Sequence, residues 1–339
     1  VRSPGGYEWW YFDAEDNAGQ LRLVAGLCEG FVFHPGYLRR YYQYLARPTF
    51  YAPPLPGEYP CAFFAIYDRG RVLAEYLMQA RPEEFQAGAA GPEVTLGSNQ
   101  LSRDPDGALR LRLSDGGLSG ELLFQPRFGQ VPVLPALTRD FLSRKMTGAD
   151  HRWIIPSPMY SVKGEMRLTN GGTSGRTINF AGRGFHDHHY GSAPLGPGLR
   201  RWICGRVLWD DKILAFHYAR PRRRRLGDEL TLLLGDSFGM REVPVALART
   251  DWSGRTAMLL RYPTRLHLRP IDANISEVRF ESPRVIRSTP YQLRLTYQAT
   301  FGERSGQAFC EVGYPRRLTW PLVGRVVERS IEEGRNRGG

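Results

Sequence analysis

Near the middle of the chain, Gly184-Phe185-His186-Asp187-His188-His189-Tyr190-Gly191 packs one carboxyl group and three imidazoles into four consecutive positions. A carboxyl group among imidazoles can be tuned as a proton donor or acceptor by burial, charge and hydrogen bonding. The block follows an alternating run, Thr177-Ile178-Asn179-Phe180-Ala181, which predicts a strand. On a strand, His186, His188 and Tyr190 share one face, with Asp187 and His189 on the other. Three readings fit. His186 and His188 form an HxH pair that needs a third metal ligand from elsewhere, with Glu8 or His217 as candidates. Alternatively, Asp187 bonded to an imidazole is an acid–base centre, the bond fixing the tautomer. Or the cluster is buried and satisfies only its own hydrogen bonds.

A second dense block, Glu8-Trp9-Trp10-Tyr11-Phe12, puts Glu8, Trp10 and Phe12 on one strand face and Trp9 and Tyr11 on the other. A glutamate beside so much aromatic surface either faces solvent or pairs with a base such as histidine or arginine. Further aromatic and polar candidates are Trp153, Tyr160, Trp202, Trp209, His217 and Tyr218. His217, inside Phe216-His217-Tyr218, reads equally as a satisfied core residue. Ring faces stabilise cations by ~0.5–2 kcal/mol each. A barrel lined by such rings around one acid could protonate an alkene and shelter the carbocation. No cysteine sits in a recognisable Cys/His setting, so nothing supports a hydrolase with a cysteine nucleophile.

The elements that must position these groups are strands. With 339 residues the chain exceeds one typical core, so two domains or one large barrel are expected. It holds 38 Gly and 25 Pro, which suits short strands joined by tight turns. Alternation marks Tyr7–Phe12, Leu21–Leu27, Ala62–Tyr67, Leu109–Leu113, Gly120–Phe124, Ser161–Leu168, Ile203–Trp209, Ile213–Tyr218, Leu230–Leu234, Arg265–Arg269 and Tyr291–Tyr297. Turn signals separate them at Asp16-Asn17-Ala18-Gly19, Asp104-Pro105-Asp106-Gly107, 115–117 and 170–172. The fold class is therefore all-β, of sandwich or barrel type. Helices are expected only at Leu137–Met146 and Val323–Glu333. The best boundary is Gly191-Ser192-Ala193-Pro194-Leu195-Gly196-Pro197-Gly198, which divides the chain into domains 1–195 and 196–339. Trp9 and Trp202 each fall on the first strand of their half, a faint repeat. Pro48–Pro60 reads as a long ordered loop over a barrel mouth. A Rossmann or TIM order and a phosphate-binding loop are both absent.

The formal charge is +12, and lysine occurs only at Lys145, Lys163 and Lys212. The run Arg220-Pro221-Arg222-Arg223-Arg224-Arg225 is a solvated loop or a contact with an anionic membrane surface. No helix-turn-helix, zinc-finger or RRM signature supports nucleic acid as a partner. Cys28, Cys61, Cys204 and Cys310 are widely spaced, which suits free thiols in the cytoplasm. No apolar run approaches the ~20 residues that span a bilayer. The chain starts at Val1, which leaves room for a removed signal peptide.

Together, Glu8–Phe12 and Gly184–Gly191 resemble the hydroxyneurosporene synthase family, or carotenoid 1,2-hydratases, whose superfamily includes AttH-type proteins and fungal Diels–Alderases. Trp202-x-x-Gly205-Arg206 and Phe309-Cys310-Glu311-Val312-Gly313-Tyr314 also resemble family landmarks. The likeness runs from Tyr7 to Arg317. It implies two tandem lipocalin-like antiparallel β-barrels, no cofactor and a hydrophobic small-molecule substrate. It implies no oligomeric state. By resemblance, Asp187 is the proton donor or its partner, tuned by His186 and His188. Trp10, Tyr190 and Trp202 stabilise the cation or position the chain, and Glu8, Trp9, Tyr11, Tyr160, His217 and Tyr218 complete the candidate set. Where many relatives carry Asn or Trp, this chain has His189 and Tyr190. Hydration of an isoprenoid alkene, its cyclisation, a pericyclic reaction and simple lipid binding all occur as alternatives under this resemblance.

Overall fold

The computed structural model describes residues 3–88, 92–115, 117–128, 137–169, 175–196 and 198–337. Its strands follow the period-two pattern of the sequence. Strand Leu109–Asp115, for example, buries Leu109, Leu111 and Leu113 and turns Arg112 and Ser114 to solvent. Each expected strand is present, and the Asp16–Gly19 and Asp104–Gly107 turns close with Gly19 and Gly107 at positive φ. The turn expected at 170–172 lies outside the described residues.

The chain divides into two compact units: Val1–Phe141 with Ala149–Pro194 and Gly324–Gly339, and Leu142–Gly148 with Leu195–Val323. Each is built on one curled, nearly closed antiparallel sheet, giving two tandem lipocalin-like barrels. In the first sheet, Tyr7–Asp16 pairs with Leu21–Glu29 on one edge and with Arg176–Gly191 on the other. The second sheet repeats this, with Leu199–Leu208 pairing both Ile213–Pro221 and Arg304–Gly313. Joining a first strand to the last removes two exposed edges at once. Trp9 and Trp202 lie on these two opening strands. Inside the first sheet, Trp10, Phe12, Phe64, Phe124, Tyr160 and Phe180 belong to one core; Phe216, Tyr218, Phe280 and Tyr297 belong to the second.

One of the two helix expectations needed correction; the other, Val323–Glu333, falls within the C-terminal helix. Leu137–Leu142 is a strand paired with His151–Ile155, and only Arg144–Thr147 is helical, capped by the Ser143 hydroxyl. Pairing with a neighbouring strand overrides the apolar spacing that suggested a longer helix. A twelve-residue helix, Pro35–Ala46, was not anticipated. His34 Nδ1 caps its Tyr37 N–H at 3.2 Å, and Tyr37, Leu38 and Tyr41 form its buried stripe. The C-terminal helix runs Pro321–Arg337. Val327 and Ile331 are buried along it, and Glu328 meets Arg39 at 2.9 Å within the first unit. In the 48–60 segment, the one regular element is a 3-10 turn, Pro56–Glu58.

The long strand Arg176–Gly191 is held on both edges, and two of its glycines explain how. A Cβ on Gly182 would come within 1.9 Å of the Glu15 carbonyl oxygen, and one on Gly184 within 2.5 Å of Val162 Cγ2. Gly182→Ala is expected to destabilise the fold by roughly 1–3 kcal/mol, because backbone cannot move aside as a side chain can. An unchanged melting temperature would contradict so close an approach of the two strands.

Candidate active site

The two chemically dense blocks lie side by side. Trp9 is opposite His189, Trp10 opposite His188, Tyr11 opposite Asp187 and Phe12 opposite His186. Directly opposed residues point to the same face of the sheet. The alternation therefore sorts the cluster into an inner array, on the core side with Trp10 and Phe12, and an outer array.

On the inner face the imidazoles lie flat on the aromatic rings. Phe12 and His186 stack with centroids 4.2 Å apart, Trp10 and His188 at 5.0 Å with an interplanar angle of 7°. Tyr160 meets His186 edge-on, and Tyr190 leans on His188. His186 Nδ1–H donates to the Tyr11 carbonyl at 2.9 Å, leaving Nε2 as the bare nitrogen. Burial drives the His186 pKa down to about 4, so the ring is neutral at pH 7. His188 Nε2–H donates to Glu8 Oε1 at 2.7 Å. Burial alone would raise the Glu8 pKa, but lowering interactions led by the His188 hydrogen bond outweigh it. Glu8 thus pairs with a base, one of the two outcomes expected for it. One nitrogen of each HxH imidazole is committed. Among the described residues, no group of three or more His, Cys, Asp or Glu is placed to hold a metal.

The outer face carries Asp187. Trp153 Nε1–H donates to Asp187 Oδ2 at 2.9 Å, and His189 Nε2 lies 3.3 Å from the same oxygen. Asp187 Oδ1 is buried and has no hydrogen-bond partner among the described residues. Behind the carboxyl runs a column of rings. His189 packs between Trp153 at 5.7 Å and Trp9 at 4.9 Å, Trp9 stacks on Tyr7 at 4.6 Å, and Tyr7 on His151 at 5.7 Å. The Tyr7 hydroxyl and His151 Nδ1 are 2.9 Å apart. Burial pulls the His151 pKa down to about 4 and pushes the Tyr7 phenol well up, so both are neutral at pH 7.

Eight of the eleven residues picked out beside Asp187 therefore gather around one strand pair, in the first unit. These are Glu8, Trp9, Trp10, Tyr11, Tyr160, His186, His188 and Tyr190. Trp202, His217 and Tyr218 belong to the second unit. There Trp202 sits opposite Ala219 and His217 opposite Cys204, whereas Tyr218 faces the second core and its hydroxyl donates to Asp228. Tyr7 and His151 were missed. Their only signal was parity: Tyr7 precedes Trp9, and His151 precedes Trp153, by two positions on alternating strands.

Fold and site together define a tandem lipocalin-like protein with a buried carboxyl at the end of an aromatic column. No family model matches the chain. It is 27% identical to the hydroxyneurosporene dehydrogenase of Chlorobaculum tepidum over 298 residues, covering 87% of this chain and 77% of that one. It is 26% identical to the acyclic carotenoid 1,2-hydratase of Rubrivivax gelatinosus over 67% of this chain and 51% of that one, so it spans about half the length of that relative. Among solved structures, an AttH protein of Nitrosomonas europaea matches with a TM-score of 0.60 at 18% identity, covering 91% of this chain and 92% of that one. CghA with bound Sch210972 matches at 0.58 and 11% (91% and 88% covered), and kievitone hydratase of Nectria haematococca at 0.52 and 9% (92% and 90%). The structural likenesses speak for the fold. Taken with the sequence relatives, they support the chain's place in the superfamily of hydroxyneurosporene synthases, carotenoid 1,2-hydratases and AttH-type proteins.

Proposed function

We propose that this protein is a hydratase-type enzyme that protonates an alkene of a hydrophobic isoprenoid or polyene, with Asp187 as the acid. The observation that carries this reading is the asymmetry of the Asp187 carboxyl. Oδ2 is held by Trp153 and faces His189, whereas Oδ1 has no partner among the described residues. Oδ1 would deliver its proton to the less substituted alkene carbon, leaving a tertiary cation. The indole N–H on Oδ2 stabilises the carboxylate that results. The ring of Trp153, at the end of the column beside Asp187, would stabilise the cation. Water adds to it, and the proton lost from the oxonium returns to Asp187. Substrate plus water gives a tertiary alcohol, with no net change in protons or electrons, so the cycle calls for no redox cofactor. Capture by an internal alkene in place of water would give cyclisation from the same first step.

The sequence relative named as an acyclic carotenoid 1,2-hydratase supports this choice of substrate class. Such a substrate resides in lipid. Arg222, Arg223 and Arg225 are exposed and are the proposed contact with an anionic membrane surface, whereas Arg220 is paired with Asp228. No helix among the described residues is long and apolar enough to cross a membrane.

Incubation with acyclic isoprenoids in deuterated water is expected to place one deuterium at the protonated carbon. Oxygen-18 water is expected to label the new hydroxyl if hydration follows. A product free of solvent deuterium would overturn protonation and point to a pericyclic reaction, and recovery of unchanged ligand would point to a carrier.

A further inference from the structure

The second unit holds a buried cation with no carboxylate of its own among the described residues. Arg201 and Arg220 are register partners on Leu199–Leu208 and Ile213–Pro221, on the same face as Ile203 and Tyr218, which belong to the second core. Arg220 is satisfied, its Nη2 lying 2.8 Å from Asp228 Oδ2. The Tyr218 hydroxyl donates to that same carboxylate, so Asp228 is fully engaged. Arg201 is only 7% exposed and has no carboxylate partner among the described residues. Its guanidinium carbon lies 3.5 Å from the ring centroid of Trp252.

Two buried donors meet here without an acceptor among the described residues: Arg201 Nε–H and Trp252 Nε1–H. Buried charges are normally paired and buried N–H groups normally bonded. Two guanidiniums face one carboxylate, an excess of one positive charge. Burial pulls the Arg201 pKa down, and the charge interaction and hydrogen bond with the Tyr314 phenol work the other way, so the guanidinium has one phenol partner and no carboxylate. An anion would remove that penalty and accept from both donors. Leu230, Tyr262 and Tyr314 also pack partly buried on this core, Leu230 opposite Tyr218 and Tyr314 at Arg201.

We propose that Arg201 and Trp252 form an oxyanion pocket on the inner side of the second sheet, for the carboxylate or phosphate head of a ligand. The guanidinium would supply the charge and the fork of donors, and the indole N–H a further bond. The partly buried Leu230, Tyr262 and Tyr314 would accept the apolar part when the head belongs to an amphiphile. This site does not depend on the reading of Asp187.

Titration calorimetry on the full chain tests it, with dodecanoate, 1-dodecanol and inorganic phosphate as probes below their aggregation limits. Dodecanoate is expected to bind once per chain and at least tenfold tighter than dodecanol. Arg201→Gln is expected to lose that tenfold and Arg201→Lys to recover part of it. Phosphate bound as tightly as dodecanoate, and lost in Arg201→Gln, would support the pocket with a free anion as its source. Dodecanol binding as tightly as dodecanoate, with no phosphate binding, would overturn it. So would undiminished oxyanion binding in a folded Arg201→Gln. If that variant fails to fold, Trp252→Phe keeps the ring and removes the N–H. A several-fold loss of affinity is then expected, and an unchanged affinity overturns the proposal.

Discussion

Asp187→Asn is expected to lower turnover of an acyclic polyene by about a thousandfold, within the ~10²–10⁴ range typical of a general acid. That factor corresponds to about 4 kcal/mol of barrier. The substitution suits the question because asparagine keeps the shape and can still accept from the Trp153 indole, but has no proton to deliver. The loss should appear in kcat with KM little changed, since proton transfer is realised in the transition state and not in ground-state binding. Trp153→Phe separates positioning from chemistry. It keeps a ring in the column and removes only the donor on Oδ2, so kcat should fall less, and the alkaline limb of the pH–rate profile, where the acid loses its proton, should move. Unchanged turnover in Asp187→Asn would sink the assignment. If His188→Gln then abolished activity, the acid would be the His188–Glu8 pair stacked on Trp10, on the opposite face of the same strand.

That the choice reduces to two faces follows from parity, which the amino-acid sequence already contained. Odd and even positions of Gly184–Gly191 separate Asp187 and His189 from His186 and His188, and Glu8–Phe12 divides in the same way. What parity cannot supply is the identity of the neighbours in space. Trp153 reaches Asp187 because His151–Ile155 pairs with the last four residues of the long strand, Trp153 falling opposite His189. Nothing within a few residues of Trp153 encodes that partner. The unforeseen helix has a similar cause. Pro35-Gly36 resembles a turn, but proline fits the first helical position and Tyr37, Leu38 and Tyr41 find a buried surface, so tertiary packing decides. Strands were legible because each carries its own alternation. Leu137–Leu142 was not, because its partner strand determines its conformation.

Lowering the pH from 6.5 towards 4 is expected to cost the fold several kcal/mol, and the buried histidines give the sign. His186 and His151 have folded pKa values of about 4 against an ordinary 6.5, in both cases chiefly because burial penalises the charged ring. Below pH 6.5 the unfolded chain takes up protons at these positions and the folded chain does not, so acid favours unfolding. The stability is fully present above 6.5 and is lost as pH falls to the folded value. A shift of this size is worth about 3 kcal/mol per group. Glu8 acts in the same direction at lower pH, since its folded pKa lies below the ordinary carboxylate value. Urea unfolding between pH 8 and 4 measures the slope, and His186→Gln should flatten it by about half. The slope is the quantity to compare, because the substitution also removes the stack on Phe12. A denaturation midpoint independent of pH over this range would contradict the burial of both rings. The same shifts bear on catalysis. Because His186 and His151 stay neutral down to about pH 4, any change in rate near pH 6.5 must come from other groups around Asp187 and His188.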